Sequence, residues 1–204
     1  LAAMGATVIK VEPPGGETAR GVPSLFELVN RGKRSVVLDL KSEGGREALL
    51  RLAGECDVLV EGFRPGVLES LGIAPAVLHE RNPRLVICRI SGFGQSGPLA
   101  DRPGFDQIAQ GMSGMMSVTG KPGEGPMRVG AAVIDVATGA DLSLVGLRGV
   151  ARRRHPAGVA PARDAHRHEL PPWRAAGGGA PRVAPHAGRA SRSPRAPSPA
   201  SSSP

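Results

Sequence analysis

Asp57-Val58-Leu59-Val60-Glu61-Gly62-Phe63-Arg64-Pro65-Gly66 opens a stretch that closes on Leu85-Val86-Ile87-Cys88-Arg89-Ile90. Both ends are short apolar runs rich in β-branched residues, bounded by Gly, Pro and Asn, and they read as strands. Between them, Pro65 fits the first turn of a helix carrying Val67, Leu68 and Leu71. A second short helix is expected from Pro75 to Glu80, before Asn82-Pro83. Strands joined through helices lie parallel, so the stretch defines a βαβ unit and an α/β fold.

The same alternation extends outward. Thr7-Val8-Ile9-Lys10-Val11-Glu12 reads as a strand stopped by Pro13-Pro14-Gly15-Gly16. Ser24 is placed to cap a short helix through Leu28 and Val29, and Ser35-Val36-Val37-Leu38-Asp39-Leu40 reads as the next strand. From Ser42 a helix is expected, with Ala48, Leu49, Leu52 and Ala53 on one face. Strands this apolar suit a sheet covered on both faces. Downstream, a Met-rich helix is expected from Phe105 to Val118, then a Gly-Lys-Pro-Gly-Glu-Gly-Pro loop. A final apolar helix begins near Asp135 and reaches Leu147.

Composition changes near residue 148. Residues 1–147 hold 15 Lys and Arg against 16 Asp and Glu, whereas residues 148–204 hold 11 Arg, no Lys and two acids, Asp164 and Glu169. The net charge of +8 therefore belongs to the tail, and it does not mark the whole chain as a nucleic-acid binder. A domain of about 150 residues buries roughly 68% of its unfolded surface. The Ala, Arg, Pro, Gly and Ser of the tail cannot offset the entropy of ordering it. Two domains are expected: residues 1–147 folded, and residues 148–204 a disordered basic tail. The tail's vocabulary matches GC-rich codons read out of frame, so a frameshift near residues 148–150 is one reading. A genuine tail with phosphorylatable Ser193-Pro194 and Ser198-Pro199 is the other.

Cys56 and Cys88 sit in apolar runs with no partner motif, which fits reduced thiols in a cytoplasmic protein. No apolar run approaches the ~20 residues that span a bilayer. Leu1-Ala2-Ala3-Met4-Gly5 looks like the inside of a helix, so the chain is expected to lack its true N-terminus. Gly92-Phe93-Gly94-Gln95-Ser96-Gly97 follows a strand as a dinucleotide fingerprint would. Pro98 and Pro103 argue against the helix that such a site needs. His155, His166, His168 and His186 lack acidic or Cys companions, so no metal site is expected.

Asp135, within Val133-Ile134-Asp135-Val136-Ala137-Thr138-Gly139, admits two readings. One is a helix N-cap. The other is a nucleophile: a carboxylate at a helix start among small residues leaves room for a substrate carbonyl.

Taken in order, several blocks resemble the family III CoA-transferases, the group of formyl-CoA transferase, carnitine CoA-transferase (formerly L-carnitine dehydratase) and α-methylacyl-CoA racemase. The first is Leu1 to Glu17. Asn30-Arg31-Gly32-Lys33-Arg34-Ser35, Leu38-Asp39-Leu40-Lys41 and Glu61-Gly62-Phe63-Arg64-Pro65-Gly66 follow. Asn82-Pro83-Arg84-Leu85, Ser91-Gly92-Phe93-Gly94-Gln95 and the segment Arg128 to Asp135 complete the series. The blocks span nearly all of residues 1–147. The resemblance implies a Rossmann-like parallel sheet with flanking helices, here incomplete, and a homodimer of interlocked chains for a full-length member. It implies CoA transfer from an acyl-CoA to a carboxylic acid acceptor through an aspartyl-CoA thioester on Asp135, with CoA as substrate and no tightly bound cofactor. Lys41 is implied near the nucleotide end of CoA, and Leu38 and Phe63 near its adenine.

Three departures from the family pattern bear on these expectations, two of them counting against the detailed CoA contacts. Gly62 stands where many members carry Asn, and Ser70 where many carry a cation. Phe105 occupies the place of the racemase branch's His and cannot exchange protons, so transfer is favoured over racemisation. The family's first strand, small domain and closing segment are not matched, so the chain by itself is expected to be inactive and poorly folded. A basic-tail nucleic-acid binder remains as an alternative of another class.

Overall fold

The computed structural model describes residues 1–154, with side chains through residue 153. Of the expected tail, residues 148–154 belong to the last helix, while residues 155–204, with the histidines and the Ser-Pro pairs, lie outside the described residues. The elements in order are β1 (Val8–Glu12), α1 (Pro23–Asn30), β2 (Lys33–Val37), α2 (Glu43–Glu55), β3 (Val58–Glu61), α3 (Val67–Ser70), α4 (Pro75–Arg81), β4 (Val86–Arg89), α5 (Asp106–Met112) and α6 (Val133–Arg154). Short 3₁₀ turns occupy Ala2–Met4, Thr18–Gly21 and Met115–Val118.

Every strand pairing is parallel, as alternation with helices requires. β1 pairs with β2, Val8 opposite Lys33 through Glu12 opposite Val37. β3 pairs with β4, Val58 opposite Val86 through Glu61 opposite Arg89. The two pairs do not join into one sheet. Residues 8–11 of β1 and 58–61 of β3 both line a largely apolar cavity of about 400 Å³, and the two strands exchange no ladder hydrogen bonds.

The core lies against the β3–β4 pair. Ala53 of α2, Leu68 of α3, Ile73, Leu78 of α4 and Leu85 are buried together, with Leu49, Leu50, Leu59, Leu71 and Ile87 packed around them. Each such aliphatic side chain contributes roughly 1.5–3 kcal/mol when fully buried. Asn82 ties this layer together. Its Nδ2 donates to the carbonyls of Ala53 and Cys56 at the end of α2 (3.0 and 2.9 Å), and its Oδ1 accepts from Arg84 N (3.0 Å).

Local chemistry explains where the elements depart from expectation. β2 begins at Lys33, two residues before the expected Ser35, and the chain leaves it at Leu38, whose N–H donates to Glu12 O. α1 starts on Pro23 at its first position, where a missing N–H costs nothing, so Ser24 lies inside the helix and Val22 is the N-cap. Pro65 stays outside α3, which begins after Gly66 in the left-handed region (φ 84°). Ser42, the expected start of α2, is its N-cap, its Oγ accepting from Gly45 N at 3.0 Å. The Met-rich helix breaks in two because Gly114 adopts φ 76° between α5 and the 3₁₀ turn. α6 runs past Leu147 to Arg154. Gly146 passes close to Val58 and Cys88, and at Gly149 an added Cβ would lie 3.0 Å from Val86.

Candidate active site

Loops leaving the C-terminal ends of the parallel strands carry most of the residues singled out from the sequence, the location expected for ligands in α/β sheets. At the end of β1, Glu12 is 1% exposed. Its carboxylate accepts from Arg20 Nε and Nη2 (2.7 and 2.8 Å), Ser35 Oγ (2.6 Å) and Glu17 N (3.2 Å). The Arg20 bonds first, then Ser35, hold its carboxyl at about 2. Beside it, Asn30 accepts from Lys10 and Lys33 (2.9 and 3.1 Å) and donates to Glu17 and to Phe26 O, while Lys10 also pairs with Glu17. The Arg20 guanidinium lies over Phe26, its Cζ 4.3 Å from the ring centroid.

β3 ends in the same way. Glu61 accepts from Phe63 N (2.7 Å) and from Arg89 Nε (2.6 Å), and Arg89 grips Glu69 with both terminal nitrogens (2.8 and 3.2 Å). The buried Glu61 carboxylate thus fixes the turn that presents Phe63. Phe63 is exposed and lines the cavity between the strand pairs. Leu38 is half-buried and Lys41 exposed just beyond β2, in a turn held by Asp39, which accepts from Lys41 N (3.0 Å). Leu38, Lys41 and Asp135 do not line that cavity.

Asp135 stands at the start of α6, as the third residue of the helix and not its N-cap. The capping group comes from another helix. Asp106, at the start of α5, turns Oδ1 toward the backbone N–H groups of Ile134 (2.8 Å) and Asp135 (3.3 Å). Its Oδ2 accepts from Gln110 Nε2 at 2.6 Å. Gln110, fully buried one turn further along α5, also donates to Ala131 O (3.2 Å) and accepts from Val129 N (2.9 Å). Val133 N donates to Ala131 O. The first donors of α6 are therefore all engaged, and none points at a ligand. Partial burial, and then the negative charge of Asp106, push the Asp135 carboxyl above its ordinary value. A more basic carboxylate is a better nucleophile.

Sequence reasoning placed Asp106 only as the residue after Phe105, gave it no role, and did not single out Gln110. The available signal was an acid and an amide four residues apart, hence on one helix face. The Gly-x-Gly-x-x-Gly segment has a different use. A Cβ on Gly92 would lie 2.4 Å from Gly104 Cα, so the two glycines let the loop after β4 cross the approach to α5. Helix α5 starts only at Asp106, well after Gly97, so no helix N-terminus follows the fingerprint. Cys88 is buried and Cys56 half-buried. Both are free, and burial raises both thiols. No described helix is long and apolar enough to cross a membrane.

These features define an α/β protein with parallel strand pairs, loops at the strand ends pinned by buried carboxylates, and an acidic residue at the head of the longest helix among the described residues. The family model for CoA-transferase family III matches residues 1–159, and the chain belongs to that family. It is 50% identical over 138 residues to an acetyl-CoA:oxalate CoA-transferase of Acetobacter aceti, covering 64% of this chain and 36% of that protein. It is 46% identical over 154 residues to a succinate–glutarate CoA-transferase of Agrobacterium fabrum, covering 68% and 38%. Among solved structures, it resembles Rv3272 of Mycobacterium tuberculosis (TM-score 0.71, 40% identity, 78% of this chain and 46% of that one). The chain thus spans a little over a third of the length of these two curated relatives.

Proposed function

We propose that this chain carries the nucleophile-bearing part of a cytoplasmic enzyme that moves CoA between an acyl-CoA thioester and a carboxylic acid. Asp135 attacks the thioester carbonyl, the C–S bond breaks, and CoA thiolate leaves a mixed anhydride. The thiolate then attacks the Asp135 carbonyl, releasing the donor carboxylate and leaving an aspartyl-CoA thioester. An acceptor carboxylate attacks that thioester, the thiolate returns to the acceptor's carbonyl, and the Asp135 carboxylate is regenerated. Each step exchanges one acyl leaving group for another and needs no cofactor beyond CoA itself.

The observation that carries this reading is the carboxylate of Asp135 at the head of α6, its basicity raised by burial and by Asp106, in a chain of this family. Leu38 and Phe63 are the proposed adenine contacts and Lys41 the cation for the CoA phosphates. Their positions beyond the ends of β2 and β3 support this. A homodimer belongs to the same reading, supported by the exposed apolar Phe105, Val136 and Leu144 on and next to α5 and α6. Because the chain spans so little of its relatives, turnover is assigned to a protein of their length, and the 204 residues alone are proposed to be inactive. In a chain of the relatives' length carrying these residues, incubation with acyl-CoA should leave CoA attached at Asp135, detectable by mass spectrometry. Asp135→Asn should abolish both adduct and turnover. An adduct elsewhere, or undiminished turnover in that variant, refutes the assignment. Steady CoA transfer by the 204-residue chain refutes its inactivity.

A further inference from the structure

We propose that Asp106, locked by Gln110, is the positioning residue of this site: it fixes the first turn of α6 and so sets the direction in which Asp135 presents its carboxylate. The inference rests on Asp135 being the reactive group. From one face of α5, two side chains hold the backbone of the segment leading into α6 at four places: Val129, Ala131, Ile134 and Asp135. Among the described residues nothing hydrogen-bonds the Asp135 carboxylate, so its placement is inherited from its own backbone. That backbone is held by Asp106.

The choice of a carboxylate over a hydroxyl cap has two consequences. A negative charge at the amino end of a 22-residue helix is favoured by the helix dipole. It also occupies the N–H groups of Ile134 and Asp135, which would otherwise be donors for a substrate oxyanion. The tetrahedral stages therefore take their oxyanion donors from outside this helix. Gln110 makes the arrangement unambiguous. Its Oε1 is committed to Val129 N and its Nε2 to Ala131 O and Asp106, so the amide cannot be reversed without losing all three bonds.

The experiment uses the 204-residue chain, whose described residues form both helices and all four of these backbone bonds, and needs no acyl-CoA. Asp106→Asn keeps an oxygen for the two N–H groups, removes the charge and turns an Nδ2 donor toward Gln110 Nε2, whereas Asp106→Ala removes charge and bonds together. The readouts are site-resolved amide exchange at Ile134 and Asp135, and the titration midpoint of the Asp135 carboxyl by ¹³C NMR, with far-UV circular dichroism as control. Asp106 is the one charged residue of α5. Of the charges on β4, also packed against α6, Arg89 is already held by Glu61 and Glu69. Asp106→Ala should speed exchange at both amides about tenfold or more. Both variants should lower the Asp135 midpoint while the circular dichroism stays unchanged. An unchanged midpoint in Asp106→Asn overturns the proposal, and that variant decides alone if Asp106→Ala does not fold. Unchanged exchange in a folded Asp106→Ala overturns it equally. If CoA is instead trapped at another residue, the nucleophile assignment fails while these shifts persist, so the two failures are distinguishable.

Discussion

Replacing Gly92 with Ala tests whether the crossing after β4 holds the site in place. The added Cβ would lie 2.4 Å from Gly104 Cα and 2.7 Å from its N. Carbon atoms rest at about 3.5–4.0 Å, so the two segments must separate by roughly 1 Å. Every close atom belongs to the backbone, and no change of rotamer relieves the clash. Neither glycine has a positive φ, so the effect is crowding alone. Overpacking of this kind costs about 1–3 kcal/mol. Gly104 precedes Asp106 by two residues, and a displacement of roughly 1 Å there stretches the 2.8 Å bond from Ile134 N to Asp106 beyond hydrogen-bond range. The assay is urea unfolding of the 204-residue chain, combined with amide exchange at Ile134. At an m-value of about 2 kcal/mol/M, a loss of about 2 kcal/mol lowers the midpoint by about 1 M. Gly104→Ala should match it, since its Cβ meets Gly92 Cα at 2.3 Å. A Gly92→Ala midpoint within about 0.2 M of the parent, with Ile134 exchange unaltered, refutes the argument.

Three further outcomes follow from named contacts. Ser42→Ala removes the cap on Gly45 N and should destabilise the chain by about 1 kcal/mol in the same unfolding assay. Arg89→Leu leaves Glu61, whose side chain is 3% exposed, as an unpaired buried charge. It should cost about 3–5 kcal/mol and lower the thermal midpoint by several degrees. Glu12 gives a pH dependence. Its folded carboxyl is depressed from 4.5 to about 2. Its stabilising effect is therefore complete above pH 4.5 and is lost as pH falls toward about 2. The stability difference between the parent and Glu12→Gln should be flat above that window and shrink within it.

The order of elements was legible because the chain uses strong local signals. Ser42 capping α2, Pro75 opening α4 and the apolar runs at Val58 and Val86 each have one sensible reading. Long-range placement was not legible. Alternation of strands and helices specifies parallel pairing but not which strands meet, and here β1 and β3 do not pair, though both line one cavity. Helix ends were misjudged where glycine decided them. Gly114 divides the Met-rich segment through a positive φ, whereas Gly146 and Gly149 let α6 lie close on Val58 and Val86. The helix consequently crosses the step in composition at residue 148 without a break.

The candidate site shows the same division more sharply. Asp135 was singled out from its neighbours, but a carboxylate near the start of a helix looks alike as cap or nucleophile. A second carboxylate 29 residues earlier, Asp106, takes the capping role and leaves Asp135 without that task. Glu12 and Glu61 play an analogous part at the ends of β1 and β3, where each buried acid turns inward to hold the backbone of the loop that follows. All three are acids whose oxygens are spent on the protein's own N–H groups. In each case the neighbouring loop or turn gains a fixed direction and a backbone donor is occupied. Among the described residues the Asp135 carboxylate receives no such bond, which leaves its oxygens free for the acyl transfer proposed above.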